Sequence, residues 1–181
     1  MFDELTAALG QIEGLEPRPL VHHCAALHAV RSRVFFIGNG ASAAIADHMA
    51  ADWMKAGGFS AISLNAAPAL TAIGNDIGYE QVFAVQLRAH ACARDMLVAI
   101  SSSGQSRNIL AAAKEARHLG MYIVTLSGFR PDNPLRGLGH VNIYVPSPKY
   151  GVVEVAHHAI LHGILDRVLT YCSAPELAHA V

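Results

Sequence analysis

Five short apolar runs alternate with longer helix-forming stretches, and this alternation restricts the fold more than any other feature of the chain. The runs cover residues 34–37, 61–64, 96–100, 122–126 and 141–145. Their hydrophobicity is continuous rather than alternating, which predicts strands buried on both faces, as in a parallel sheet. We therefore predict an α/β fold, a doubly wound five-stranded parallel sheet flanked by helices with flavodoxin-like layering.

Helical patterns occupy the segments between these runs. We predict helices over residues 42–55, 76–88, 106–119 and 152–171, the second of them after a loop at Gly74-Asn75-Asp76. The N-terminal segment 1–32 is predicted to be helical around a break at Glu16-Pro17-Arg18-Pro19. Because 181 residues is the length of one domain, we expect a single domain over residues 1–181, with the segment 1–32 packed on it or on a partner subunit.

Composition excludes several classes of function. Lys and Arg total 13 and Asp and Glu total 14, so no basic excess favours nucleic acid or an anionic membrane surface. No basic signal-peptide start and no uncharged apolar run of about 20 residues is visible, so we expect a cytoplasmic protein. Cys24, Cys92 and Cys172 are odd in number and widely spaced, which disfavours a disulfide framework. Only 15% of residues are charged, which suggests surface buried in an oligomer.

A serine-rich loop follows the predicted strand 96–100 and opens the next helix. Its four hydroxyls, Ser101, Ser102, Ser103 and Ser106, surround a glycine at a helix N-terminus, where backbone N–H groups favour an anion. Hydroxyls add donors without positive charge, which suits a phosphate monoester that must leave again. The alternative is helix capping, for which one serine would suffice.

A glycine-containing loop, Gly38-Asn39-Gly40-Ala41-Ser42, follows the predicted strand 34–37. Position 43 is Ala, so the spacing is not that of a dinucleotide fingerprint, and no Gly-Lys-Ser/Thr follows. Glycines permit close approach of a ligand, and Asn39 can donate to and accept from sugar hydroxyls. The alternative is a tight turn without a ligand. In a parallel sheet, ligands bind at the carboxyl ends of strands, where both loops are predicted to lie.

Histidine is unusually frequent, with eleven in the chain. His48 and Asp52 are spaced i, i+4 on a predicted helix, which gives either a metal half-site or a surface ion pair. Glu154, His158 and His162 repeat every four residues, with His157 beside them. This set is either a second metal half-site, an acid–base pair or a polar seam. Since Glu154 and His162 are about 12 Å apart along a regular helix axis, His158 is a fallback ligand.

The chain resembles the SIS-domain phosphoheptose isomerases over residues 34–166. The segments that carry the resemblance are FFIGNGASAAIADHMAADW, LTAIGNDIGYEQVF, LVAISSSGQSRNILAAAKEARHLGMYIVTLSG and VEVAHHAILH. The resemblance implies an SIS domain assembled as a homotetramer, with sites at subunit boundaries. It also implies isomerisation of sedoheptulose 7-phosphate to D-glycero-D-manno-heptose 7-phosphate, which serves heptose biosynthesis for the lipopolysaccharide core or for other glycans.

The resemblance assigns roles to residues at matching positions. The phosphate is assigned to Ser101, Ser102, Ser103 and Ser106, and the sugar to Asn39, Gly40, Ala41, Ser42, Asn75 and Asp76. Zinc or another divalent metal is assigned to His48, Asp52, Glu154 and His162, of which Asp52 and His162 are also catalytic. Three positions depart from the family pattern: Asp52 stands for Glu, Glu154 for Gln and Ala41 for Gly.

The leading hypothesis is therefore aldose–ketose isomerisation through an enediol, with Asp52 and His162 as the proton-transfer groups. Two alternatives stay open. One is a non-catalytic, sugar-phosphate-binding scaffold tetramer, for which these residues would be dispensable. The other is isomerisation of a different phosphosugar by the same chemistry.

Overall fold

The protein is represented by a computed structural model that describes residues 1–15 and 17–173. The five strands are β1 (Arg33–Ile37), β2 (Ser60–Ser63), β3 (Met96–Ser101), β4 (Tyr122–Ser127) and β5 (Val141–Tyr144). They form one all-parallel sheet in the order β2-β1-β3-β4-β5. The predicted α/β class is confirmed, and every strand lies within one residue of its predicted bounds.

Within residues 1–15 and 17–173, seven α-helices and two short 3₁₀ helices precede, connect or follow the strands. The α-helices are α1 (Phe2–Leu9), α2 (Pro17–Ala29), α3 (Ala41–Lys55), α4 (Ala67–Asp76), α5 (Ala84–His90), α6 (Arg107–His118) and α7 (Tyr150–Ser173). The 3₁₀ helices cover Tyr79–Gln81 and Pro134–Gly137. Glu16, in the predicted N-terminal break, lies outside the described residues. No helix in residues 1–15 and 17–173 is both long and apolar enough to cross a membrane.

The prediction for the segment between β2 and β3 is wrong. Gly74-Asn75-Asp76 does not form a loop before a helix, because it is the last turn of α4. Pro68 lies in the first turn of that helix, where a proline favours helix initiation. The actual break is at Gly78, whose φ of +130° favours glycine, and α5 begins only at Ala84.

The sheet separates two apolar cores, which explains why the central strands β1, β3 and β4 are buried on both faces. The same burial predicted for β2 is wrong, because β2 is an edge strand whose residues are exposed or only partly buried. Along β1, Val34 and Phe36 join the core under α2, α3 and α7, whereas Phe35 and Ile37 join the core under α5 and α6. Phe36 meets Trp53 of α3 edge-on, with ring centroids 5.6 Å apart. Helices α1 and α2 both pack against α7.

The strand order determines where a ligand can enter. The chain leaves β1 toward β2 and returns on the other side of β1 to β3, so the strand order reverses between β1 and β3. At such a reversal the loops after the two strands diverge and leave a crevice at the carboxyl edge of the sheet. The loops that begin at Gly38 and Ser102 follow these two strands, and this position brings together two sets of polar residues far apart in sequence.

Candidate active site

A cavity of about 250 Å³, called the serine cavity below, lies between the loops after β1 and β3. Residues from both predicted substrate-binding loops line it: Asn39, Gly40, Ala41 and Ser42 from the first, and Ser101, Ser102, Ser103 and Ser106 from the second. Tyr150 and Glu154, from the first turns of α7, complete the polar wall. The tertiary structure thus joins the glycine loop, the serine loop and one acidic side chain around a single cavity.

The serine hydroxyls of this loop do not cap the N-terminus of α6. Ser106 is the N-cap residue of α6, yet its side chain makes no capping bond within the described part of the chain. Its Oγ lies 3.1 Å from Oγ of Ser101 instead. The hydroxyl of Ser102 is buried and has no hydrogen-bond partner among residues 1–15 and 17–173. A buried hydroxyl without a partner is costly, so the Ser102 hydroxyl is available to a ligand that accepts hydrogen bonds.

The shape of the serine loop depends on Gly104 and on a residue that sequence reasoning missed. Gly104 has φ +62°, and a Cβ there would collide with Oδ1 of Asn133. The Asn133 amide donates to the carbonyl oxygen of Arg130 at 2.8 Å and lies buried beneath the loop. The only sequence signal was the Asn133-Pro134 dipeptide, which marks a turn.

Asn39 is held by an amide pair that the sequence also did not reveal. Its Nδ2 donates to Oδ1 of Asn108 at 2.9 Å, and Nδ2 of Asn108 donates back to Oδ1 of Asn39 at 2.8 Å. The Tyr79 hydroxyl donates to the same Asn39 oxygen at 3.0 Å. Asn108 is buried on α6, so this pair fixes the loop after β1 to the helix that follows the serine loop.

Asn75 and Asp76 lie elsewhere. They are exposed at the end of α4, and Nδ2 of Asn75 donates to Oδ1 of Asp76 at 2.7 Å. They are not among the residues that line the serine cavity of this chain. Their assigned contact with sugar stays a prediction.

A cluster of three histidines and one carboxylate lies between α3 and α7. Each of His48, His158 and His162 offers a ring nitrogen, and these nitrogens lie within 4.8 Å of one another. Oδ2 of Asp52 lies 3.2 Å from Nε2 of His48 and 3.8 Å from Nδ1 of His162. Imidazole nitrogens and a carboxylate are ligands that zinc accepts, so this donor set fits a metal ion.

The neighbouring histidines of α7 have different surroundings. Burial is the main cause of the lowered pKa of His158, and His162 and His48 lower it further, while Asp52 raises it. His157 instead points to β4, where its Nε2 lies 3.1 Å from the carbonyl oxygen of Ser127. Complete burial lowers the pKa of His157 to about 4, so it is a neutral ring that donates to this carbonyl and anchors α7.

Glu154 stands apart from the histidine cluster. It lies one helical turn before His158, about 6 Å along the axis of α7, and lines the serine cavity. Of the four residues assigned to the metal, the structure therefore brings His48, Asp52 and His162 into one cluster and places Glu154 in the cavity wall.

Comparison with known proteins is consistent with this architecture. The family model for the SIS domain matches residues 6–128. Phosphoheptose isomerase from Helicobacter pylori strain HPAG1 is 38% identical over 155 residues, which are 82% of this chain and 78% of that protein. The structure of phosphoheptose isomerase GmhA from Neisseria gonorrhoeae superposes with a TM-score of 0.85 at 31% identity, covering 93% of this chain and 95% of that one. A phosphoheptose isomerase from Francisella tularensis superposes with a TM-score of 0.78 at 26% identity, covering 93% and 92%. The chain therefore belongs to the phosphoheptose isomerase family of SIS-domain proteins.

Proposed function

We propose that this protein is an aldose–ketose isomerase that converts sedoheptulose 7-phosphate to D-glycero-D-manno-heptose 7-phosphate. One observation carries the proposal: a serine cavity suited to a phosphate and a histidine–carboxylate cluster suited to proton transfer lie along the same helix, α7. The relatives from Helicobacter pylori and Neisseria gonorrhoeae are phosphoheptose isomerases, which supports the same activity.

The phosphate is bound by the serine loop. The unpartnered Ser102 hydroxyl and the N-terminus of α6 offer donors to its oxygens, and the helix dipole favours its negative charge. These contacts lie far from the reacting carbons, so they orient the substrate without taking part in the chemistry. The backbone at Gly40 and the Ala41 side chain lie next to the sugar chain.

The spacing along α7 leaves room for a sugar phosphate that extends from the serine cavity toward the histidine cluster. From Glu154, in the wall of the serine cavity, to His162 the axis of α7 advances about 12 Å. An extended seven-carbon chain with its phosphate spans about 10 Å, because each C–C bond of about 1.5 Å advances it by somewhat less than its length. With the phosphate at the serine loop, a chain of this length extends along α7 toward Asp52 and His162.

Isomerisation moves one proton from C1 to C2 and another from O1 to O2. The Asp52 carboxylate takes the proton from C1 and returns it to C2 of the enediol, and the His162 imidazole transfers the proton between the two oxygens. Oδ2 of Asp52 lies 3.8 Å from Nδ1 of His162, so the two groups can serve adjacent atoms of one substrate. Asp52 stands where the family has Glu, and its shorter side chain requires the substrate to approach α3 more closely.

A divalent metal, zinc in the first instance, belongs to the same site. His48 and His162 would hold it, with the Asp52 carboxylate beside their ring nitrogens. When bound, the ion supplies stabilisation of the negative charge that develops on the substrate oxygens.

The assembly and cellular place of the enzyme follow from the same proposal. A homotetramer is supported by the low fraction of charged residues, 15%, and by an apolar groove between α1 and α7 that includes Leu9, Ile160 and Ile164. The enzyme acts in the cytoplasm, where its product enters heptose biosynthesis for lipopolysaccharide.

The test is to incubate the protein with sedoheptulose 7-phosphate, with and without a chelator, and to identify the products by NMR. We expect Asp52→Asn to lower turnover about 10²–10⁴-fold, the usual contribution of general acid–base catalysis, and to keep sugar-phosphate binding. Asp166→Asn, at an exposed position of α7, is the control and should leave turnover unchanged. Full activity of Asp52→Asn would remove Asp52 from the mechanism. No product from any ketose phosphate would favour the scaffold alternative.

A further inference from the structure

His158 is one of the three rings of the histidine cluster. It precedes His162 by one turn on α7, and the two rings have centroids 4.8 Å apart. The ring of His48, across from them on α3, lies 5.0 Å from that of His158 and 5.3 Å from that of His162. The three imidazoles therefore form a compact triangle in which each ring is next to both others.

The hydrogen bonding of His158 is incomplete. Its Nε2 is buried and finds no partner in the part of the chain that the structure describes. Buried polar atoms are normally paired, so an imidazole nitrogen left free beside two further imidazoles calls for a ligand that binds nitrogen. A divalent metal ion meets that requirement, and it would bind all three neighbouring ring nitrogens at once.

We propose that His158 is the third nitrogen ligand of a divalent metal ion bound by His48 and His162, and that Glu154 faces the sugar instead of the metal. Asp52 is then the carboxylate beside the ion. The inference deepens the proposed function and rests on it only for the identity of the sugar phosphate.

The donor set matches a catalytic metal centre. Three protein ligands with an open fourth position are the common arrangement of catalytic zinc sites. Two nitrogens at the usual Zn–N distance of about 2.0–2.1 Å are at most about 4.2 Å apart. The present spread of up to 4.8 Å therefore closes with small rotations of side chains that are only partly buried.

The position of Glu154 supports the second half of the inference. Its side chain lines the cavity together with Ser101 and Ser106, about one turn of α7 away from His158. A carboxylate in that wall can accept hydrogen bonds from sugar hydroxyls next to the phosphate site. The four-residue spacing of α7 offers Glu154 and His158 as candidates for the third metal ligand. The proposal assigns that role to His158.

The decisive experiment counts the bound histidines in the Co(II)-loaded protein. Each imidazole ligand gives one exchangeable N–H proton with a large hyperfine shift in the ¹H NMR spectrum. We expect three such signals from the wild type, three from Glu154→Gln and two from His158→Gln. His118→Gln, at an exposed position at the end of α6, is the matched control and should give three.

Zinc affinity, measured by competition with a chromophoric chelator, gives a second readout. Loss of an outer-sphere partner typically weakens metal binding about 10–100-fold. We expect His158→Gln to weaken zinc binding by more than about 100-fold and Glu154→Gln by less than about 10-fold. Circular dichroism of the metal-free variants checks that each is folded, and the wild-type signal count depends on no variant.

Two signals from the wild type, no metal binding at all, or a greater loss in Glu154→Gln than in His158→Gln would each overturn the inference. The outcome is separable from the proposed function, because the measurement needs no substrate. Three signals from a protein that isomerises no phosphosugar would refute the function and support the ligand assignment. Two signals from a protein that isomerises sedoheptulose 7-phosphate would support the function and refute the ligand assignment.

Discussion

Replacing Ser102 by Ala should raise stability and weaken ligand binding at the same time. Ser102 is buried, with 5% of its surface exposed, and its hydroxyl has no partner among the described residues. Removing a buried hydroxyl that forms no bond takes away a desolvation cost. The same hydroxyl is proposed to donate to the phosphate, so its removal takes away a contact that only the complex makes.

The two effects have opposite signs and similar sizes. An unpaired buried hydroxyl costs about 1–3 kcal/mol, so the ligand-free Ser102→Ala variant should gain about 1 kcal/mol or more in unfolding free energy. For a chain of this length that raises Tm by about 2–4 °C per kcal/mol. A hydrogen bond to a charged group contributes about 1.5–3 kcal/mol, so the Kd for the sugar phosphate should rise about 10- to 150-fold.

The assay is thermal unfolding without ligand, followed by calorimetric titration with sedoheptulose 7-phosphate and with inorganic phosphate. Ser32→Ala is the control, because Ser32 is similarly buried but lies next to the start of β1, at the opposite end of the strand from the cavity. It should leave Kd unchanged. A lower Tm for Ser102→Ala together with an unchanged Kd would refute the reasoning. The lower Tm would show that the hydroxyl forms a stabilising hydrogen bond in the folded protein, and the unchanged Kd would show that it does not contact the ligand.

Two further predictions concern backbone strain and pH. Gly104→Ala places a Cβ at φ +62° and against Asn133, so it should lower the unfolding free energy in urea by about 2–4 kcal/mol, the sum of left-handed strain and disrupted hydrogen bonds. The control Gly163→Ala, with open space around its Cβ, should not destabilise, and equal urea midpoints for the two variants would contradict this account. Burial holds the pKa of His23 below its usual value, so protonation favours the unfolded state and the stability linked to His23 is lost as pH falls below about 6.5. His23→Phe keeps a ring stacked on Tyr122 and should flatten the fall in stability between pH 7.5 and 5.5; an unchanged slope in the urea midpoint would exclude His23 as its source.

The sheet could be predicted because its signal is local. The central strands are apolar runs buried on both faces, and such a run can be recognised without knowledge of its neighbours. The structure of the segment around Gly74 could not be predicted, because a glycine in a helical pattern can end a helix or be tolerated within it. The structure resolves this in favour of a helix, since Leu70 and Ile73 of α4 pack against the core under α5 and α6.

The candidate site was predictable in part for the same reason. The serine loop and the glycine loop are each contiguous, so their chemistry can be inferred without the fold. The roles of Asn108 and Asn133 could not be predicted in this way, because each residue supports a loop that lies far from it in sequence. Asn108 pairs with Asn39, and Asn133 lies under Gly104. Nothing in the residues beside them indicates these contacts.

The sequence by itself determined the α/β class, the positions of the glycine loop and the serine loop, and the presence of a histidine-rich stripe on the last helix. It did not decide between His157 and His158, because adjacent helical residues differ by about 100° around the axis and either could face the site. The packing of α7 settles the question: it turns His157 onto the carbonyl of Ser127 and His158 toward His48 of α3. Local periodicity can show that a helix has a polar side, but which side chain meets a partner depends on a second helix more than a hundred residues away in sequence.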